Sequence, residues 1–113
     1  MIGISSSTLN SLEKGRQVGS QIQKRVGDEI LWISVAVQKL GDEYLSHVNI
    51  IEESKLISEK FIIDETRSHA SLDGAIKFID KIIAWVEVDV HLVILKGQRL
   101  FNPNAETIVR DPT

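Results

Sequence analysis

The chain has 113 residues, with 13 Lys+Arg against 16 Asp+Glu, and so a formal net charge of −3. That length supports one domain and no second core. With no cysteine, disulfides, thiolate catalysis, Cys-based zinc sites and iron–sulfur clusters are all excluded.

The longest apolar runs are Ile30 to Ile33, Ile82 to Val86 and Leu92 to Leu95. They fall far short of the ~20 apolar residues that a bilayer-spanning helix needs. Met1 to Thr8 lacks the basic and apolar regions of a secretory signal. The expectation is a cytoplasmic domain without a membrane partner. Ile and Val supply 26 of the residues, a share that favours sheet, because branched side chains pack well on a pleated surface.

Residues 5–27 are polar and weakly periodic. Leu9, Leu12, Gly19, Ile22 and Val26 could line one side of a helix, with Asn10 and Glu13 as a capping pair, so 1–28 reads as a polar N-terminal helical segment. Ile30 to Gln38 then alternates, with Leu31, Ile33, Val35 and Val37 on one face. Gly41-Asp42 supplies a turn and Tyr44 to Ile51 alternates again, which predicts an antiparallel hairpin. The run Leu56 to Ile63 reads as a third strand, although Glu52 to Lys55 would start a helix equally well. Arg67 and His69 fall in the loop that follows.

From Ser71 the period changes to 3.6. Leu72, Ala75, Ile76, Ile79, Ile82 and Ile83 form an apolar stripe, Ser71 is placed to cap it, and Asp73 lies in the first turn where the helix dipole favours an anion. This helix is expected to end near Trp85. A strand from Val86 to Leu95 follows, then a turn at Lys96 to Arg99 and the start of one more strand at Leu100-Phe101. Residues 102–113 read as a tail. The order α-β-β-β-α-β-β predicts a single α+β domain over 1–113: two layers, a mainly antiparallel sheet of four to five strands, and one or two helices.

Chemistry-bearing motifs are sparse. His47, His69 and His91 lack ligand spacing, so no metal and no cofactor is expected. There is no Gly-x-Ser-x-Gly elbow and no phosphate loop, so no catalytic residue is assigned. The enzyme alternative rests on His47 and His91 meeting on neighbouring strands for acid–base work, and Arg67 with His69 could meet an anion at the helix start.

The segment Gly3-Ile4-Ser5-Ser6-Ser7-Thr8-Leu9-Asn10-Ser11-Leu12-Glu13-Lys14-Gly15-Arg16 resembles the recognition-helix segment of phage-repressor-type helix-turn-helix domains. The resemblance implies Ser6, Ser7 and Asn10 at base edges and Arg16 on a phosphate. It covers only the first sixteen residues. The overall acidity and the few aromatics oppose phosphate binding, so nucleic acid is not an expected partner.

Charge is segregated along the chain. Residues 42–65 carry Asp42, Glu43, Glu52, Glu53, Glu59, Asp64 and Glu65 against Lys55 and Lys60, a balance of −5. Residues 1–27 carry a balance of +3. Those seven acids are the expected partner-binding residues, facing a basic protein. The function expected from size and charge is a small acidic inhibitor or immunity-type protein, an antitoxin in effect, that neutralises a basic toxin such as a bacterial nuclease. A secretion-type chaperone is a further alternative. An exposed edge strand would also allow a homodimer.

Overall fold

The computed structural model describes residues 1–97, 99–103 and 109–110. The fold is α+β. Its strands are β1 (Ile2–Ile4), β2 (Val18–Val26), β3 (Glu29–Leu40), β4 (Glu43–Glu52), β5 (Phe61–His69), β6 (Val90–Ile94) and β7 (Val109–Arg110), and its helices are α1 (Ser6–Glu13) and α2 (Leu72–Ile83). The strands form one sheet in the order β1-β6-β2-β3-β4-β5-β7. Pairs are antiparallel from β6 across to β5, and the two short outer strands run parallel to their neighbours.

The central hairpin follows directly from alternation. Leu31, Ile33, Val35 and Val37 of β3 register against Glu52, Ile50, Val48 and Ser46 of β4, so the apolar face is continuous from strand to strand. Both helices cover that face: α1 packs on β2, β3 and β6, and α2 on β4, β5 and β1. Leu12 of α1 and Ala75, Ile79 and Ile83 of α2 join the β3 residues in one core cluster. Ser71 caps α2 as expected, its hydroxyl accepting from Gly74 N at 3.0 Å, and a 3-10 turn over Ala84–Val86 closes the helix.

Several expectations are corrected. The predicted helix over 5–27 is helical only at Ser6–Glu13, and its second half is β2. Apolar residues four apart, such as Val18, Ile22 and Val26, satisfy one helical turn and two strand repeats alike. The pairing of β2 between β6 and β3 decides the matter. The cap of α1 is Ser5, which accepts from Thr8 N at 3.2 Å, not Asn10. The third strand starts at Phe61 rather than Leu56, so Arg67 and His69 lie within β5 and not in a loop. The strand predicted from Val86 begins at Val90.

Leu100 and Phe101 form no strand. They lie across the sheet face opposite the helices, where Gln17 clasps them: its Oε1 accepts from Leu100 N at 2.7 Å and its Nε2 donates to Phe101 O at 3.1 Å. Within the expected tail, Pro103 is buried and Val109–Arg110 pairs with Arg67 and Ser68 of β5; its other residues after Pro103 lie outside those described. As for the helix-turn-helix resemblance, α1 lies flat on a sheet with Thr8 and Leu12 buried, which is not the setting of a recognition helix.

Candidate functional site

The seven predicted acids do not share one surface. Asp42 and Glu43 sit at the β3–β4 turn, whereas Glu52, Glu53 and Glu59 sit at the far end of β4 and in the loop after it. Glu43 and Glu52 stand at the two ends of β4, about 30 Å apart at ~3.3 Å per residue. Asp64 and Glu65 are neighbours on β5, so their side chains leave opposite faces of the sheet. Glu65 lies on the helix side and meets Arg67 at 3.4 Å. Asp64 registers with Asn49 on the other side.

At the far end the structure does gather a surface. The β2–β3 turn (27–28) and the β4–β5 loop (53–60) adjoin there, and Glu29 joins them. Its carboxylate accepts from Ser54 Oγ at 2.9 Å and from the amides of Ser54 and Ile30, each at 3.3 Å. These bonds, that of the Ser54 hydroxyl foremost, hold Glu29 below the usual carboxylate range. Trp32 Nε1 donates to Glu53 Oε1 at 3.4 Å. This end presents apolar side chains to solvent: Ile57 in the loop is fully exposed, and Leu56 of the loop, Phe61 and Ile62 of β5 and Val26 of β2 are each at least 39 % exposed. Asp28, Glu29, Glu52, Glu53 and Glu59 lie in the same turn, strand ends and loop, alongside Lys24, Arg25, Lys55 and Lys60.

Exposed aliphatic side chains cost solvation free energy in the free protein. In the sequence Leu56, Ile57, Phe61 and Ile62 read as part of the third strand, and Val26 as part of the N-terminal helix. Their signal was nonetheless there, as an apolar run flanked on both sides by acids.

The histidines are dispersed. His47 on β4 and His91 on β6 both face away from the helices, but β2 and β3 lie between their strands in the sheet. Three strand spacings of ~4.8 Å hold them about 14 Å or more apart, too far for a shared proton. The neighbouring-strand expectation is therefore corrected.

His47 is buried against Phe101, with ring centroids 5.2 Å apart and planes 5° from parallel. Its Nδ1 is 2.8 Å from Thr66 Oγ1 and its Nε2 is 3.1 Å from Asn49 Nδ2. The amide donates to Nε2, which leaves Nδ1 to carry the proton and donate to Thr66. His69 sits on the helix side, 1 % exposed, with Nε2 2.7 Å from Ser46 Oγ. That serine–histidine pair is sealed from solvent. Among the described residues, no group of three or more His, Asp or Glu could hold a metal ion, and no helix is long and apolar enough to cross a membrane.

Burial pushes the His47 imidazole below its ordinary value, against a smaller upward pull from Asp64. The unfolded chain takes up this proton near pH 6.5, while native His47 resists until lower pH, so the unfolded form binds more protons in between. Stability is therefore complete above about pH 6.5 and falls as pH drops below it. Urea midpoints at about pH 7.5 and about pH 5.5 are expected to differ more for the wild type than for His47→Gln. Identical differences would contradict the assignment.

No protein-family model, curated protein or solved structure matches this chain.

Proposed function

We propose that this chain is a non-enzymatic protein-binding module of the inhibitor or immunity type, which acts in the bacterial cytoplasm by covering a basic protein such as a nuclease toxin. The contact is the far end of the sheet: Leu56, Ile57 and Phe61 form its apolar centre, and Asp28, Glu29, Glu52, Glu53 and Glu59 its rim. The observation that carries this reading is the fully exposed Ile57 in a loop pinned by the Glu29–Ser54 bonds. A hydrophobic centre gives an interface its burial energy, and a charged rim sets encounter rate and register. Carboxylates around the centre match a partner whose own apolar patch is ringed by Lys and Arg.

The test starts with capture of a stoichiometric partner from the native host, followed by reconstitution from purified components. The partner is expected to be basic, and the complex to weaken at least about tenfold between roughly 50 and 300 mM salt, as screened rim charges require. An acidic partner with salt-independent affinity would contradict the reading, as would failure to recover any stoichiometric protein.

A further inference from the structure

At the opposite end of the sheet lies a cleft of about 270 Å³. It forms where the chain leaves α1 for β2 and where the end of β6 turns back. Two left-handed glycines, Gly15 and Gly97, make those turns and line the cleft. Its floor is an amide pair: Gln17 Nε2 donates to Gln38 Oε1 at 2.9 Å, and Gln38 Nε2 donates to Gly15 O at 3.1 Å. Because Gln17 also holds Leu100 and Phe101, both amides are spent on keeping the loops in place. Recognition would fall to the remaining charged groups on the walls, Arg16 and Arg99.

Both guanidiniums are exposed, and neither has an ion-pair partner among the described residues. No carboxylate is among the described residues that line the cleft. Glu13, the acid nearest in sequence, is taken elsewhere: Tyr44 Oη donates to both its oxygens at 2.8 and 2.9 Å, and Lys39 Nζ lies 3.3 Å away. A second cleft of about 390 Å³ adjoins across Leu95 and adds Lys96. Two cations, Arg16 and Arg99, thus line one polar cleft, a third, Lys96, lines the cleft beside it, and none of them has an ion-pair partner among the described residues.

We propose that this cleft is a binding site for a phosphate monoester dianion. Two planar guanidiniums can each grip two phosphate oxygens through paired N–H donors, which suits a tetrahedral dianion better than a single carboxylate. The site lies about a strand length from the acidic end, so it is independent of the protein contact proposed above.

The experiment is a two-dimensional amide NMR titration of the full chain at constant ionic strength, with O-phosphoserine, inorganic phosphate and sodium chloride as separate arms. Saturable shifts at the Gly15 and Gly97 amides and the Gln17 side-chain amide are expected with both phosphate probes and not with chloride. Tighter binding of phosphoserine would show that the cleft also contacts the ester's carrier, and equal binding that it reads the dianion alone; both support the proposal. Removing charge is expected to weaken binding about tenfold per arginine in Arg16→Ala and Arg99→Ala, while Arg16→Lys retains part of it. Both positions are exposed, and an unchanged spectrum elsewhere confirms that each variant folds. Linear shifts with every salt, or saturation unaltered in the alanine variants, would overturn the proposal.

Discussion

Gly19→Ala is expected to destabilise the folded chain by about 3 kcal/mol, the upper range for forcing atoms into a packed interior. A Cβ built on Gly19 falls 2.4 Å from the Val35 carbonyl oxygen and 3.0 Å from both Ala36 Cβ and Leu100 Cδ1. The first of these is backbone of the central strand, held on both sides by β2 and β4, and it cannot recede without breaking the ladder. The third is the segment that crosses the open face, so the same substitution also lifts Leu100 away from the sheet. A domain of this size holds roughly 5–15 kcal/mol in all, so a loss of that size is readily seen in a urea midpoint. Gly41→Asn is the control: the position is left-handed (φ +62°) but opens onto empty space, and asparagine tolerates that conformation. It is expected to stay within about 0.5 kcal/mol of wild type. Equal midpoints for Gly19→Ala and wild type would contradict the close approach.

The second large effect falls on binding and leaves folding untouched. Ile57 makes no buried contact, so Ile57→Asp is expected to leave the thermal midpoint where it is. The same substitution puts an unpaired charge at the centre of the proposed interface. There it is expected to weaken the partner complex at least about a hundredfold, some 2.7 kcal/mol, as for a central apolar anchor. Glu53→Lys at the rim is expected to cost less at equilibrium and to act chiefly on the association rate. Isothermal calorimetry with stopped-flow association separates the two. A Kd for Ile57→Asp within threefold of wild type would remove the apolar centre from the interface.

Much of the fold was legible in sequence because its central elements announce themselves locally. Ile30 to Gln38 and Tyr44 to Ile51 alternate on either side of a Gly-Asp turn, and they are β3 and β4 almost residue for residue. The stripe from Leu72 to Ile83 behind Ser71 is α2. What the sequence hid depends on distant partners. β1 pairs Ile2 with Val90 and β7 pairs Val109 with Arg67; strands of three and two residues carry no periodic signal of their own. β2 was ambiguous because a four-residue apolar spacing suits helix and strand alike.

The candidate site was half legible. The acids of 42–65 were visible, but linear charge density does not tell which end of a strand an acid occupies. Folding leaves Glu52, Glu53 and Glu59 together and sends Asp42 and Glu43 to the other end. The apolar members read as strand because Leu56 to Ile63 has strand composition, and composition alone does not reveal that Leu56 and Ile57 lie in the preceding loop.

Amide hydrogen exchange on the complex, compared with the free chain, tests the central claim most directly. Slowed exchange is predicted in the 26–29 turn and across 52–62, with the β3–β4 turn at 41–42 and the exposed face of α2 unchanged. Protection confined to 41–42, to α2 or to the Gly15–Gly97 cleft, with the 52–62 loop exchanging as in the free chain, would contradict it.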